Sequence, residues 1–117
     1  MDIIKEIVEW HKETFPDETE SGQYRKVCSE IQEMWMAGTD KEEFLKEKAD
    51  VCISLVSLAY RYNSELAMFL LIEMMYQPAC MEEHQALMNE IRRKMDLNKV
   101  RTWHKDETTG EYRHRNF

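Results

Sequence analysis

The side chains in this sequence whose types and spacing could do chemistry are carboxylates. Glu30 and Glu33 stand three apart, as do Glu47 and Asp50. Residues three apart on a helix have Cβ atoms about 5–6 Å from each other, so each pair can converge on one point. Such pairs also arise by chance among 23 acidic residues: Glu6/Glu9, Asp17/Glu20 and Asp40/Glu43 share the spacing, and a solvated face is their usual meaning. Position relative to the apolar stripe separates the two chosen pairs. At about 100° per residue from Val27, Glu30 and Glu33 fall near 300° and 240°, and Glu47 and Asp50 fall at about the same two angles counted from Phe44. Both pairs therefore flank the apolar side of their helices in the same sense.

Only residues 38–40 separate the two helices, which predicts an antiparallel hairpin with axes about 8–10 Å apart. The four carboxylates then stand within about one turn of each other in height. Four like charges that close repel strongly unless a cation sits among them. Oxygen ligands alone, with no His in either helix and Cys28 expected to face the core, select a hard divalent ion, Mg2+ with Mn2+ as its substitute. The alternative is that these are ordinary surface acids paired with Lys26, Lys46 and Lys48.

The elements that must position these residues are helices. A chain with 3 Gly and 2 Pro is too poor in turn formers for an all-β fold, and 9 Met with abundant Glu, Lys and Leu favour helix. Apolar spacing predicts a first helix over residues 2–15, with Ile3, Ile4, Ile7, Val8 and His11 on one stripe. A second runs from Gly22 or Gln23 to Ala37, its stripe being Tyr24, Val27, Cys28, Ile31, Met34 and Trp35, and Gly38 stops it. Thr39 and Asp40 cap a third, whose stripe extends from Phe44 to Tyr62. Its uncharged run, Val51–Tyr60, predicts a helix that is surrounded, both within a bundle and at a subunit interface. A fourth helix covers Glu65–Tyr76, and a fifth covers residues 81–103, with the polar Asn98 at an inward position. The expected fold is all-α, a bundle of four to five helices over residues 1–103, followed by an extended or hairpin-like arm over 104–117 with a turn at Thr109-Gly110.

Charge narrows the partners. Residues 1–91 carry 8 basic and 19 acidic side chains, whereas residues 92–105 carry 6 basic and 1 acidic. No basic face is long enough to wrap duplex nucleic acid, but a few phosphates of a small molecule are within its means. Arg92, Arg93, Lys99 and Lys105 read as a solvated helix face. Cys28, Cys52 and Cys80 lack CxxC spacing and read as buried, reduced thiols of a cytoplasmic protein. The first ten residues have acids among the apolar positions and no small-residue cleavage site, so no secretory signal is expected. No run is long enough to cross a membrane.

Lys26-Val-Cys-Ser-Glu30-Ile-Gln-Glu33, followed after 13 residues by Glu47-Lys-Ala-Asp50, resembles the EExxE…ExxD signature of the MazG-like all-α nucleoside triphosphate pyrophosphatases. Residues 10–23, the Lys94…Asn98 element and the tail from Arg101-Thr-Trp103 to Arg113-His114 resemble further stretches of phage and bacterial members. Two departures stand out: Ser29 replaces the first Glu of the motif, and the segment from Asp50 to Lys94 is longer than in compact members.

The resemblance implies Mg2+-dependent hydrolysis of a nucleoside triphosphate, a deoxynucleotide or a modified one, to the monophosphate and pyrophosphate. It implies metal ligation by Glu30, Glu33, Glu47 and Asp50, with Glu30 or Glu33 taking the proton of the attacking water. Lys94 and Asn98 match the family element and would bind phosphates, and Lys26 and Arg101 are placed to join them. Trp103, Tyr112, Arg113 and His114 are candidates for base contact or a lid. Relatives of this kind are usually dimers or dimers of dimers. The competing reading is a catalytically inert helical adaptor or dimerisation module, favoured only by Ser29.

Overall fold

The computed structural model describes residues 2–76, 80–105, 108 and 112–114. Five α-helices follow in order: α1 (Ile3–Thr14), α2 (Glu20–Met36), α3 (Lys41–Val56), α4 (Glu65–Tyr76) and α5 (Met81–Asn98). Their starts have local causes. Asp2, Thr19 and Asp40 each stand at an N-cap in extended conformation, and their side-chain oxygens accept from the amides of Ile4, Gly22 and Glu43. The Thr19 cap opens α2 at Glu20, earlier than the start at Gly22 or Gln23 that the apolar spacing predicts. Gly38, at φ 61°, turns the chain out of α2 as expected.

The α2–α3 pair forms the predicted hairpin, and α3 also packs on α1, α4 and α5. Every residue of Val51–Ala59 is buried within the bundle, as expected, but Tyr60 at the end of the uncharged run is 42% exposed. Around it lie Ile7, Val27, Met34, Leu71, Met75, Leu87, Ile91 and Met95.

After Val56 the helix widens into a π-turn, Ser57–Arg61, where the sequence alone predicts unbroken α-helix. The turn delivers Arg61 to the C-terminal end of α1. Its Nη1 donates to the carbonyl oxygens of Phe15 (2.8 Å) and His11 (3.3 Å), and its Nη2 to that of Pro16 (3.2 Å). The guanidinium thereby ties the π-turn to the end of α1, where the His11 and Phe15 carbonyls also accept from the Phe15 and Glu18 amides.

A second clamp joins α1 to α5. Arg92 donates twice to Glu6, at 2.8 and 2.7 Å, and Lys99 pairs with the same carboxylate. These cations hold the Glu6 carboxyl down at about 2. Glu6 thus departs from the solvated surface expected of it, while Arg92 and Lys99 keep about two-fifths of their side chains in water as they pair with it. Arg93 pairs with Glu90 on its own helix.

Helix α5 ends at Asn98, five residues short of the predicted end. Trp103 instead begins a strand, β1 (Trp103–Lys105), antiparallel to β2 (Tyr112–His114) with Trp103 opposite His114. The hairpin form of the arm is as expected, and its proposed Thr109-Gly110 turn lies outside the described residues. Two cysteines correct the sequence reading: Cys52 is buried, but Cys28 and Cys80 are exposed. Among the described residues no helix is long and apolar enough to cross a membrane.

Candidate active site

The buried face of α2 is rotated from the stripe that apolar spacing selects. Gln23, Val27, Glu30 and Met34 point inward, while Tyr24 and Cys28 are exposed and Trp35 is 70% exposed. Glu30 therefore sits within the buried face of α2, where it meets Glu47 and Asp50 of α3. One carboxylate oxygen from each of these three lies within 4.8 Å of the others. Glu33 is exposed and stands outside this group of three, so the four-way convergence expected from spacing reduces to three acids with Glu33 beside them. Glu30, Glu33 and Asp50 line a cavity of about 250 Å³, and Glu47 does not.

Even at 4.8 Å, the outer limit of this group, two ionised carboxylates would repel by about 3–4 kcal/mol at an effective dielectric near 20. The titration behaviour follows. Burial, then Asp50 and Glu33, pushes the Glu47 carboxyl up to about 7. Glu30 is raised by burial, which Lys26 opposes and Glu33 reinforces. Asp50 is raised by burial and by Glu30, with Lys94 opposing. Lys26 Nζ stands 3.1 Å from Glu30 Oε1, and Lys94 Nζ donates to Asp50 Oδ2 at 3.0 Å. These two ammonium groups compensate part of the acid charge. Glu30 Oε2 and Glu47 Oε2 stay buried without a hydrogen-bond partner. Orphaned, anionic oxygens in an all-oxygen donor set suit a hard divalent cation.

The rest of the cavity wall is aromatic and polar. Trp10, Phe15 and Trp103 meet edge to face, with centroid separations of 5.2–5.9 Å. Trp103 Nε1 donates to the Asn98 carbonyl at 3.2 Å, which seats the indole against the end of α5. Lys26 lies 5.7 Å from the Trp103 ring centroid, so one ammonium touches both the acid cluster and the aromatic wall. Asn98 and Arg101 line the same cavity, Arg101 from the turn after α5 and not from a helix. Lys26, Asn98, Arg101 and Trp103 are thus brought to one cavity with Glu30, Glu33 and Asp50, and Lys94 reaches it through Asp50. The contacts expected of the Tyr112, Arg113 and His114 side chains lie outside the described portion of the chain.

The sequence reading missed His11, Gln23, Ser54 and Ser57, all buried and all lining the cavity. His11 Nε2 lies 3.0 Å from Gln23 Oε1, its Nδ1 lies 2.8 Å from Arg61 Nη1, and burial and Arg61 lower its pKa to about 4. The available signal was a polar side chain on an apolar stripe. His11 follows Ile7 by one turn, and Gln23 precedes Val27 by one turn.

An all-α bundle with a buried carboxylate cluster opening onto an aromatic cavity is the class that the fold and site define. No protein-family model matches the chain, and no curated protein does. Among solved structures it is similar to the MazG-like pyrophosphohydrolase of Cyanophage S-2L, at 23% identity over 99% of this chain and 92% of that one, with a TM-score of 0.45. That structure holds dGDP and three catalytic Mn2+ ions per active site.

Proposed function

We propose that this chain is a divalent-metal-dependent nucleoside triphosphate pyrophosphohydrolase, acting on a deoxynucleotide or modified deoxynucleotide in control of the nucleotide pool. The observation that carries the reading is the meeting of three carboxylate oxygens within 4.8 Å at a cavity whose other walls are cationic and aromatic. Glu30, Glu47 and Asp50 would hold Mg2+ or Mn2+, with Glu33 beside them. The ion supplies positive charge for the triphosphate oxygens and acidifies water.

The remaining work falls to the chain's own residues. Lys26, Lys94, Asn98 and Arg101 bind and orient the phosphates, and the aromatic wall excludes water from the base. Glu33 or Glu30, both lining the cavity, accepts the proton of the attacking water. Water oxygen bonds to the α-phosphorus, the bond from that phosphorus to the bridging oxygen breaks, and pyrophosphate leaves with the electron pair.

The test is incubation with each common NTP and dNTP, and with base-modified dNTPs, plus Mg2+ or Mn2+, with products resolved by anion-exchange chromatography. Monophosphate and pyrophosphate are expected. Release of orthophosphate, or no turnover of any nucleotide, would refute the reading.

An exposed apolar face on α4 supports self-association and is also what an adaptor would need. Leu66 is 58% and Phe69 61% exposed, with Ile72 and Tyr76 on the same side. We therefore propose a homodimer or dimer of dimers that covers this face. Three free cysteines suit a reducing compartment, and we propose the cytoplasm as the place of action.

A further inference from the structure

A chain of hydrogen bonds with a fixed direction leads from Arg61 into the cavity wall. It begins at Arg61, whose guanidinium can only donate. Its Nη1 lies 2.8 Å from His11 Nδ1, so that ring nitrogen must carry the lone pair. The neutral ring then bears its proton on Nε2, which donates to Gln23 Oε1 at 3.0 Å. At the other end of the same amide, Gln23 Nε2 donates at 3.0 Å to the Ser54 carbonyl, which can only accept. Two independent constraints thus impose one orientation on the amide. Flipping it would oppose two acceptors at Ser54 and two donors at His11.

Beyond these two bonds the amide keeps a second N–H and a second lone pair, and Gln23 lines the cavity. A freely turning amide can satisfy any base, because it can exchange its donor and acceptor. A locked one cannot. Guanine, thymine and uracil present an accepting oxygen next to a donating ring N–H, whereas adenine and cytosine present a donating amino group next to an accepting ring nitrogen.

We infer that Gln23 reads the base edge, and that Arg61, acting through His11, fixes the sense of that reading so that the site separates keto from amino bases. This rests on the nucleotide reading above. Gln23 is the specificity-determining residue, and His11 and Arg61 are positioning residues.

The experiment measures kcat/KM for dGTP, dTTP and dUTP against dATP and dCTP. In parallel, it measures binding of the α,β-imido analogues by tryptophan fluorescence, with Trp10 and Trp103 in the cavity wall as reporters. The wild type should favour one class by at least about tenfold. Gln23→Leu should bring the ratio near one, and Arg61→Met should lower it at least threefold. Arg61→Lys, which still only donates, should keep it. General damage to the fold would depress all bases alike and leave the ratio unmoved, and if Gln23→Leu does not fold, the Arg61 pair carries the test. Turnover with a wild-type ratio near one overturns this inference and leaves the hydrolytic reading intact. A class preference in binding without turnover supports the inference while the hydrolytic reading fails. Neither turnover nor binding overturns both.

Discussion

Burial, Asp50 and Glu33 together raise the Glu47 carboxyl from 4.5 to about 7. A carboxyl with a folded pKa above its unfolded one favours folding in its protonated form. The ion-free protein should therefore lose stability as pH rises from about 4.5 to about 7, and lose no more from this group above that. Glu47→Gln removes the penalty. With a chelator present at pH 8, the variant should melt higher than the wild type, by on the order of 1 kcal/mol after allowing for solvent screening, and the gain should vanish near pH 4.5. Calorimetry at the two pH values checks this, and a variant less stable at pH 8 would contradict the electrostatic picture. At Glu33 the expectation is different. Glu33→Gln should reduce turnover at least a hundredfold with circular dichroism unchanged, and activity within twofold of wild type would place the proton acceptor elsewhere.

The α2–α3 hairpin depends on a two-residue device, Gly38 at positive φ and Asp40 as cap. A Cβ on Gly38 meets nothing within 4 Å, so Gly38→Ala should cost about 1 kcal/mol through backbone conformation alone. Asp40→Ala should cost a similar amount through the lost bond to the Glu43 amide, both measured by urea denaturation. These signals are local, and for that reason the hairpin, the limits of α4 and the buried run of α3 were legible in the sequence. The face of α2 was not. Apolar spacing locates the side of a helix richest in carbon, and here Tyr24, Cys28 and Trp35 outweigh a buried face that carries Gln23 and Glu30 toward the cavity. The site itself displaces the pattern by which helix faces are found. The end of α5 was hidden for a related reason: no Gly or Pro intervenes before Trp103, and the indole's packing on Trp10 and Phe15 accompanies its departure from the helix. The π-turn leaves no mark in residue type, and Arg61 is understood only from the carbonyls it reaches.

At the scale of the molecule, α4 presents a stripe of exposed apolar side chains that a monomer would leave in water. Light scattering should return a multiple of 14.1 kDa, and Phe69→Asp should shift the mass toward that of one chain. A wild type at the monomer mass would contradict the proposed assembly. The clamps on α1 bear on how the molecule forms. Arg61 meets partners 45 to 50 positions away, and Glu6 is held by residues 86 and 93 positions away. The acid cluster instead needs only the α2–α3 hairpin, whose closure is local and fast. These separations predict that the two halves of the site mature at different times during folding: the carboxylates can meet as soon as the hairpin closes, whereas the wall of Trp10, His11 and Trp103 needs residues from near both ends of the sequence.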